Sequence, residues 1–154
     1  MSKIFVSAPG RVCLFGEDQD YLGLSVITVA INLRTYVRGQ VTESNKIKIN
    51  YINTKETDEF SVDEKIEYRS KRDYLRAAIN ILKRDERYKN LLKGVDCEIW
   101  SEIPIASGLS SSSVLVVAWI KFLSSAFSLQ LDEKEIAQLA FCSEVTELDR
   151  KSVV

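Results

Sequence analysis

The chain has 154 residues, enough for one ordinary domain, and 45% hydrophobic with 28% charged residues reads as a globular unit that can bury a core without disulfides or metals. A net charge of −1 gives no support for a nucleic-acid or membrane partner. The absence of histidine excludes any Ser-His-Asp, Cys-His or His-metal mechanism carried within the chain, so acid–base work would fall to Asp, Glu, Lys or Tyr.

The first six residues lack a signal-peptide apolar region. Cys13, Cys97 and Cys142 are odd in number and widely spaced, without a CxxC or CxxH pair. They read as free thiols in a reducing compartment, which favours the cytoplasm, and not as a zinc site. The spacing predicts short strands over Ile4 to Ser7 and Val12 to Phe15, on either side of a Pro9-Gly10 turn. Glu17, Asp18 and Asp20 then crowd a loop bracketed by Gly16 and Gly23. Convergent carboxylates accept hydrogen bonds from the hydroxyls of a polyol, and Arg11 could face a transferring phosphoryl group. The plainer reading is an acidic turn whose Asp side chains bond their own backbone.

Val26 to Ile31 is a β-branched apolar run, predicted as a buried strand. Strands are predicted again over Thr35 to Val41 and Lys46 to Tyr51. In the latter, Ile47, Ile49 and Tyr51 alternate with polar residues. Thr54 to Glu67 is polar and is predicted as a loop with a short strand near Phe60 to Val62. From Lys71 to Tyr88 the period becomes helical. Tyr74, Leu75, Ala78, Ile79 and Leu82 share one face, and Lys71, Arg72, Arg76, Lys83, Arg84 and Arg87 fill a solvated remainder. Val95 to Ile103 alternates as a strand and runs into Pro104-Ile105-Ala106-Ser107-Gly108-Leu109-Ser110-Ser111-Ser112-Ser113.

A helix apolar nearly all round follows, from Ser111 to about Ser125, as in the centre of a domain. Strand, Gly-containing turn and buried helix direct backbone N–H groups to one point. The helix dipole adds about half a positive charge there, which suits a polyphosphate. A serine hydroxyl could ligate Mg²⁺. The loop has no Lys and so is not a Walker A sequence; the plainer reading is a Ser-rich helix cap. Asp132 and Glu135 predict a capping box, with Leu131 stapled to Ile136, opening a last helix that runs to about Leu148. Strands lead and helices follow, so the fold class is α+β, a mixed β-sheet backed by helices.

Taken together, the two Gly-containing segments resemble the GHMP kinase family, which includes galactokinase, homoserine kinase, mevalonate kinase and phosphomevalonate kinase. Ala8-Pro9-Gly10-Arg11-Val12 followed by Phe15-Gly16-Glu17 resembles that family's first motif, and Pro104 through Ser113 its second, the ATP-phosphate loop. Asp20-Tyr21 followed by Gly23 is closer to galactokinase than to mevalonate kinase. The resemblance covers residues 1–154 as the family's N-terminal, ATP-binding domain. It implies an ATP-dependent kinase that transfers the γ-phosphoryl group to a sugar hydroxyl, with ATP and Mg²⁺ as cofactors. A mevalonate-type kinase, or a kinase-derived binding domain without activity, is the alternative. It implies Arg11 near the transferred group, and Glu17, Asp18, Asp20 and Tyr21 at the sugar. Ser107, Gly108, Leu109, Ser110, Ser111 and Ser112 would wrap the ATP phosphates, with Ser112 and Glu147 as metal ligands.

Three departures from the family pattern matter. Asp18 stands where galactokinases usually carry His, and Ala106 where a Gly is common. The Gly-rich segment that holds the family's catalytic Asp is not matched after Glu147, and Asp149 is no substitute so close to it. The expectation is therefore a chain without the family's C-terminal domain, inactive alone, with an exposed apolar face that favours self-association.

Overall fold

The computed structural model describes residues 3–17, 19, 22–104 and 108–149. In chain order its elements are β1 (Ile4–Phe15), β2 (Ile27–Val41), β3 (Lys46–Tyr51), β4 (Glu56–Ser61), α1 (Tyr74–Arg84), β5 (Val95–Ser101), α2 (Ser111–Phe127) and α3 (Glu133–Phe141). A π-helical turn over Cys142–Thr146 and a last helical stretch, α4 (Glu147–Asp149), continue α3. The strands form one sheet in the order β1-β2-β5-β3-β4, parallel between β3 and β5 and antiparallel elsewhere. The fold is α+β, as the sequence predicts.

One face of the sheet is covered by helices. Val37, Ile47, Ile49, Val95 and Ile99 point into it, and Leu75, Ile79, Leu82, Trp119, Phe122 and Leu123 close the core from the other side. Trp119 stacks on Phe122 at 5.7 Å and donates its indole N–H to the Leu75 carbonyl at 3.2 Å, tying α2 to α1. The Cys97 thiol lies in this core, where burial pushes its pKa up. On the opposite face Phe5, Tyr36 and Trp100 stack across β1, β2 and β5.

Several boundaries differ from the sequence prediction. Pro9-Gly10 is not a turn: β1 runs unbroken through it, with a bulge. Pro9 pairs with Arg34 and Arg11 with Ala30, so three residues of β2 stand opposite Gly10 alone. An edge strand tolerates Pro, and a bulge absorbs the mismatch. A Cβ at Gly10 would lie 3.0 Å from Ile103 Cδ1 and 3.2 Å from Ile31 Cδ1, so both side chains would have to give way to a larger residue there. The two strands predicted over 26–31 and 35–41 are one strand, β2, and its first half is not buried. Only Thr35 to Val41 pairs with β5. Beyond it the β1–β2 hairpin is a two-stranded arm that exposes Leu14, Phe15, Leu22, Leu24, Ile27 and Val29.

β4 starts earlier than the strand expected near Phe60 to Val62, and β5 stops at Ser101. α1 is shorter than the predicted 71–88, since the chain leaves the helix at Asp85. α3 opens with the expected capping box, Asp132 accepting from Glu135 N–H at 2.8 Å and Glu135 from Asp132 N–H at 3.1 Å. It does not run on as an α-helix to Leu148, because the π turn widens it at Cys142. Among the described residues no helix is long and apolar enough to cross a membrane.

Arg76 departs from the solvated basic face. It is 4% exposed, pairs with Asp58 at 2.7 Å and Asp73 at 3.1 Å, and lies 4.4 Å from the centre of the Phe60 ring. This pairing pins α1 to β4. Removing one partner of a buried pair leaves uncompensated charge, so Arg76→Ala is expected to cost about 3–5 kcal/mol. Urea unfolding measures this; a loss under about 1 kcal/mol would show the pair to be dispensable.

Candidate active site

The site forms where the arm meets the start of α2. β1 carries Arg11 and Cys13 on one face, two residues apart. The strand ends in a turn at Gly16, whose φ of +86° and 2.9 Å approach of a would-be Cβ to the Ser25 carbonyl exclude a side chain. Glu17 follows, exposed, and Gln19 N–H closes the turn onto the Gly16 carbonyl at 3.0 Å.

The second half comes from the serine loop. Gly108 has φ +74° and Ser110 φ +58°, both left-handed. Ser110 sits at the N-cap of α2, yet no side chain caps that helix. The serines therefore do not act as the simple helix cap of the plainer reading, and the first-turn N–H groups keep their donor capacity. Arg11 N–H approaches the Leu109 carbonyl at 3.5 Å, which brings the loop onto the bulge of β1.

Between the two halves lies a cavity of about 300 Å³. Arg11, Cys13, Gly16 and Glu17 line it from the first segment, Val26 and Thr28 from β2, and Gly108, Ser110, Ser112 and Ser113 from the serine loop and α2. Two segments about a hundred residues apart thus share one wall. Arg11, Glu17, Gly108, Ser110 and Ser112, all singled out from sequence, come together here. Leu109 is half-buried against the core, and Ser111 is half-buried outside the lining. Asp18, Asp20, Tyr21 and Ser107 lie outside the described residues. Cys13, Val26, Thr28 and Ser113 were missed. The i, i+2 alternation from Arg11 could have pointed to Cys13, but Thr28 depends on cross-strand register.

Glu147 is not among the residues lining this cavity. It is 9% exposed and receives the Tyr68 hydroxyl at 2.5 Å and both Arg84 guanidinium nitrogens, at 2.6 and 2.7 Å. The Tyr68 hydroxyl is pushed up to about 12, first by burial and then by its bond to Glu147. Among the described residues no group of three or more Cys, Asp or Glu side chains is placed to hold a metal alone. A hard cation that takes one or two protein oxygens and otherwise phosphate and water remains compatible with the Ser112 hydroxyl.

Comparison with known proteins identifies the family. The model described as GHMP kinases N terminal domain matches residues 73–150, and the galactokinase galactose-binding signature matches residues 1–41. The chain belongs to the GHMP kinase family. It is 34% identical over 146 residues to a mevalonate kinase of Thermococcus sibiricus, covering 89% of this chain and 43% of that protein. It is also 34% identical over 139 residues to a galactokinase of Haemophilus influenzae, covering 89% of this chain and 36% of that one. The structure of Lactococcus lactis galactokinase complexed with galactose superposes with a TM-score of 0.82 at 30% identity, over 96% of this chain and 38% of that one. The chain thus spans less than half the length of each relative.

The Tyr68–Glu147 bond has a pH signature. Tyr68 titrates near its ordinary 10 when unfolded and at about 12 when folded, so the folded state holds the extra proton between these values. Its contribution is complete below pH 10 and is lost as pH rises to about 12. Urea midpoints of wild type and Tyr68→Phe should converge over that interval; a gap that stays constant from pH 9 to 12 would contradict the assignment.

Proposed function

We propose that this chain is the N-terminal part of an ATP-dependent small-molecule kinase that passes the ATP γ-phosphoryl group to a sugar hydroxyl. The observation that carries the reading is the single cavity lined by Arg11 and Glu17 at one side and by Gly108, Ser110 and Ser112 at the other. The helix start and Arg11 offer positive potential for phosphates, and the acidic loop offers acceptors for hydroxyls. Magnesium-bound ATP would supply the phosphoryl group and neutralise its charge. The chain's own part is to bind and orient: Gly108 to Ser112 hold the phosphates with Ser107, and Ser112 offers the metal an oxygen. Glu17, Asp18, Asp20 and Tyr21 hold the sugar. Glu147 is proposed as a second metal ligand from the resemblance, and it would have to share its oxygens with Arg84 and Tyr68.

Mevalonate is the second reading, favoured by the identity to mevalonate kinases. Charge weighs toward the sugar. Arg11 is the one cation among the described residues lining the cavity, and a phosphoryl group claims it, which leaves no cation there for a substrate carboxylate. The apolar arm is proposed as the surface that packs on another part of the protein or, without it, on a second copy. A cytoplasmic location fits the three free thiols.

Two measurements test this reading. Binding of a fluorescent ATP analogue to the chain should tighten with Mg²⁺, and Ser112→Ala should remove about tenfold of that tightening while metal-free binding stays put. An unchanged Mg²⁺ dependence would withdraw Ser112 from the metal. In a coupled ADP-release assay with hexoses, pentoses and mevalonate, the 154-residue chain alone should show no substrate-dependent turnover, since no residue in it matches the family's catalytic Asp. Turnover at about 1 s⁻¹ or more would refute that and require a base among Asp18, Asp20 and Asp149.

A further inference from the structure

We propose that Thr28, set opposite Cys13 on the wall of the cavity, is a specificity-determining residue that reads a substrate hydroxyl; this rests on the sugar reading above. The two residues are direct partners in the β1–β2 register, and both line the cavity. At about 3.3 Å per residue, Cys13 lies about 7 Å along β1 from Arg11, towards Glu17. A substrate with its reacting hydroxyl near Arg11 and its far hydroxyls at Glu17 would therefore cross the Cys13–Thr28 pair.

The chemistry of the pair is unequal. The Cys13 thiol is turned to its own strand, donating to the Phe15 carbonyl at 3.2 Å, and serves as a small wall. The Thr28 side chain is exposed, and no described residue hydrogen-bonds its hydroxyl. That hydroxyl has one donor and two acceptor sites to offer. Val26, two residues away on the same face of the chain, adds an apolar edge. Apolar edge, hydroxyl and small thiol in a row suit the mixed C–H and O–H surface of a sugar ring between its reacting end and its far end. Because β2 lies outside both Gly-containing segments, this reading can vary without disturbing the phosphate loop.

The test is calorimetric titration of the full chain, with a non-hydrolysable ATP analogue and Mg²⁺ present, for wild type, Thr28→Val and Thr28→Ser. A hexose panel with mevalonate is titrated first, then the monodeoxy derivatives of the tightest hexose. One monodeoxy sugar is expected to bind wild type about 5- to 30-fold more weakly than its parent, the range for losing one buried hydrogen bond. Thr28→Val should bind the parent weakly by the same factor and no longer distinguish the two. Thr28→Ser should keep the discrimination, and affinity for the ATP analogue should not move in either variant. The inference is overturned if Thr28→Val retains full discrimination, or if affinities for sugar and nucleotide fall together. Wild type that binds mevalonate and no hexose, or no substrate at all, sinks the sugar reading itself, whatever Thr28 does.

Discussion

The burial of α2 is the constraint on which the rest depends. Val116, Trp119, Ile120, Phe122 and Leu123 are fully buried on more than one side of the helix, which leaves solvent only a narrow strip at Lys121 and Ser125. It packs on β1 and β2 of the sheet and against α1 and α3, and the Trp119 indole bonded to the Leu75 carbonyl fixes that seat. A seated helix has a fixed start. Its first turn, with N–H groups that no side chain caps, emerges beside the bulge of β1. The most apolar part of the chain thus decides where the most polar loop is held. Burying roughly five large side chains at 1.5–3 kcal/mol each outweighs the cost of two left-handed residues in that loop.

The β1–β2 hairpin has a corresponding division. Its first half is sheet, paired through Thr35 to Val41 with β5. Its second half is an arm with one polar wall, where Arg11, Cys13 and Thr28 meet the serine loop, and with large apolar side chains left in solvent. The bulge at Gly10 separates the two halves. It lets one hairpin serve the core at one end and the cavity at the other, because the extra residues of β2 change the strand's course between them.

Local signals were legible where one element answers to its own sequence. The all-round apolar pattern placed α2, Asp132 with Glu135 placed the start of α3, and the alternation of Ile47 and Ile49 placed β3. What failed to show depends on distant neighbours. Val26 to Ile31 has the composition of a buried strand, but no described element covers its start. Pro9-Gly10 has the composition of a turn, but an edge position makes a bulge sufficient. Arg76 looked solvated because its partner Asp58 lies on another element, 18 residues away. Within the site, the two motif segments were legible, whereas Thr28 and Ser113 became visible only through register and helix placement.

Charge orders the site as firmly as packing does. A polyphosphate needs positive potential, and a helix start with Arg11 supplies it, but the chain also brings carboxylates into the neighbourhood. Each described carboxylate is handled differently. Glu17 is exposed at the turn that follows β1, where water screens it. Glu147 is nearly buried, and the bidentate Arg84 and the Tyr68 hydroxyl bind both its oxygens. A guanidinium that is itself largely exposed can hold such a carboxylate without fixing it permanently, since exposure keeps the pair weak enough to exchange. The α1 helix, which presents Arg84 at its last turn, thereby holds the Glu147 carboxylate as well as closing the core.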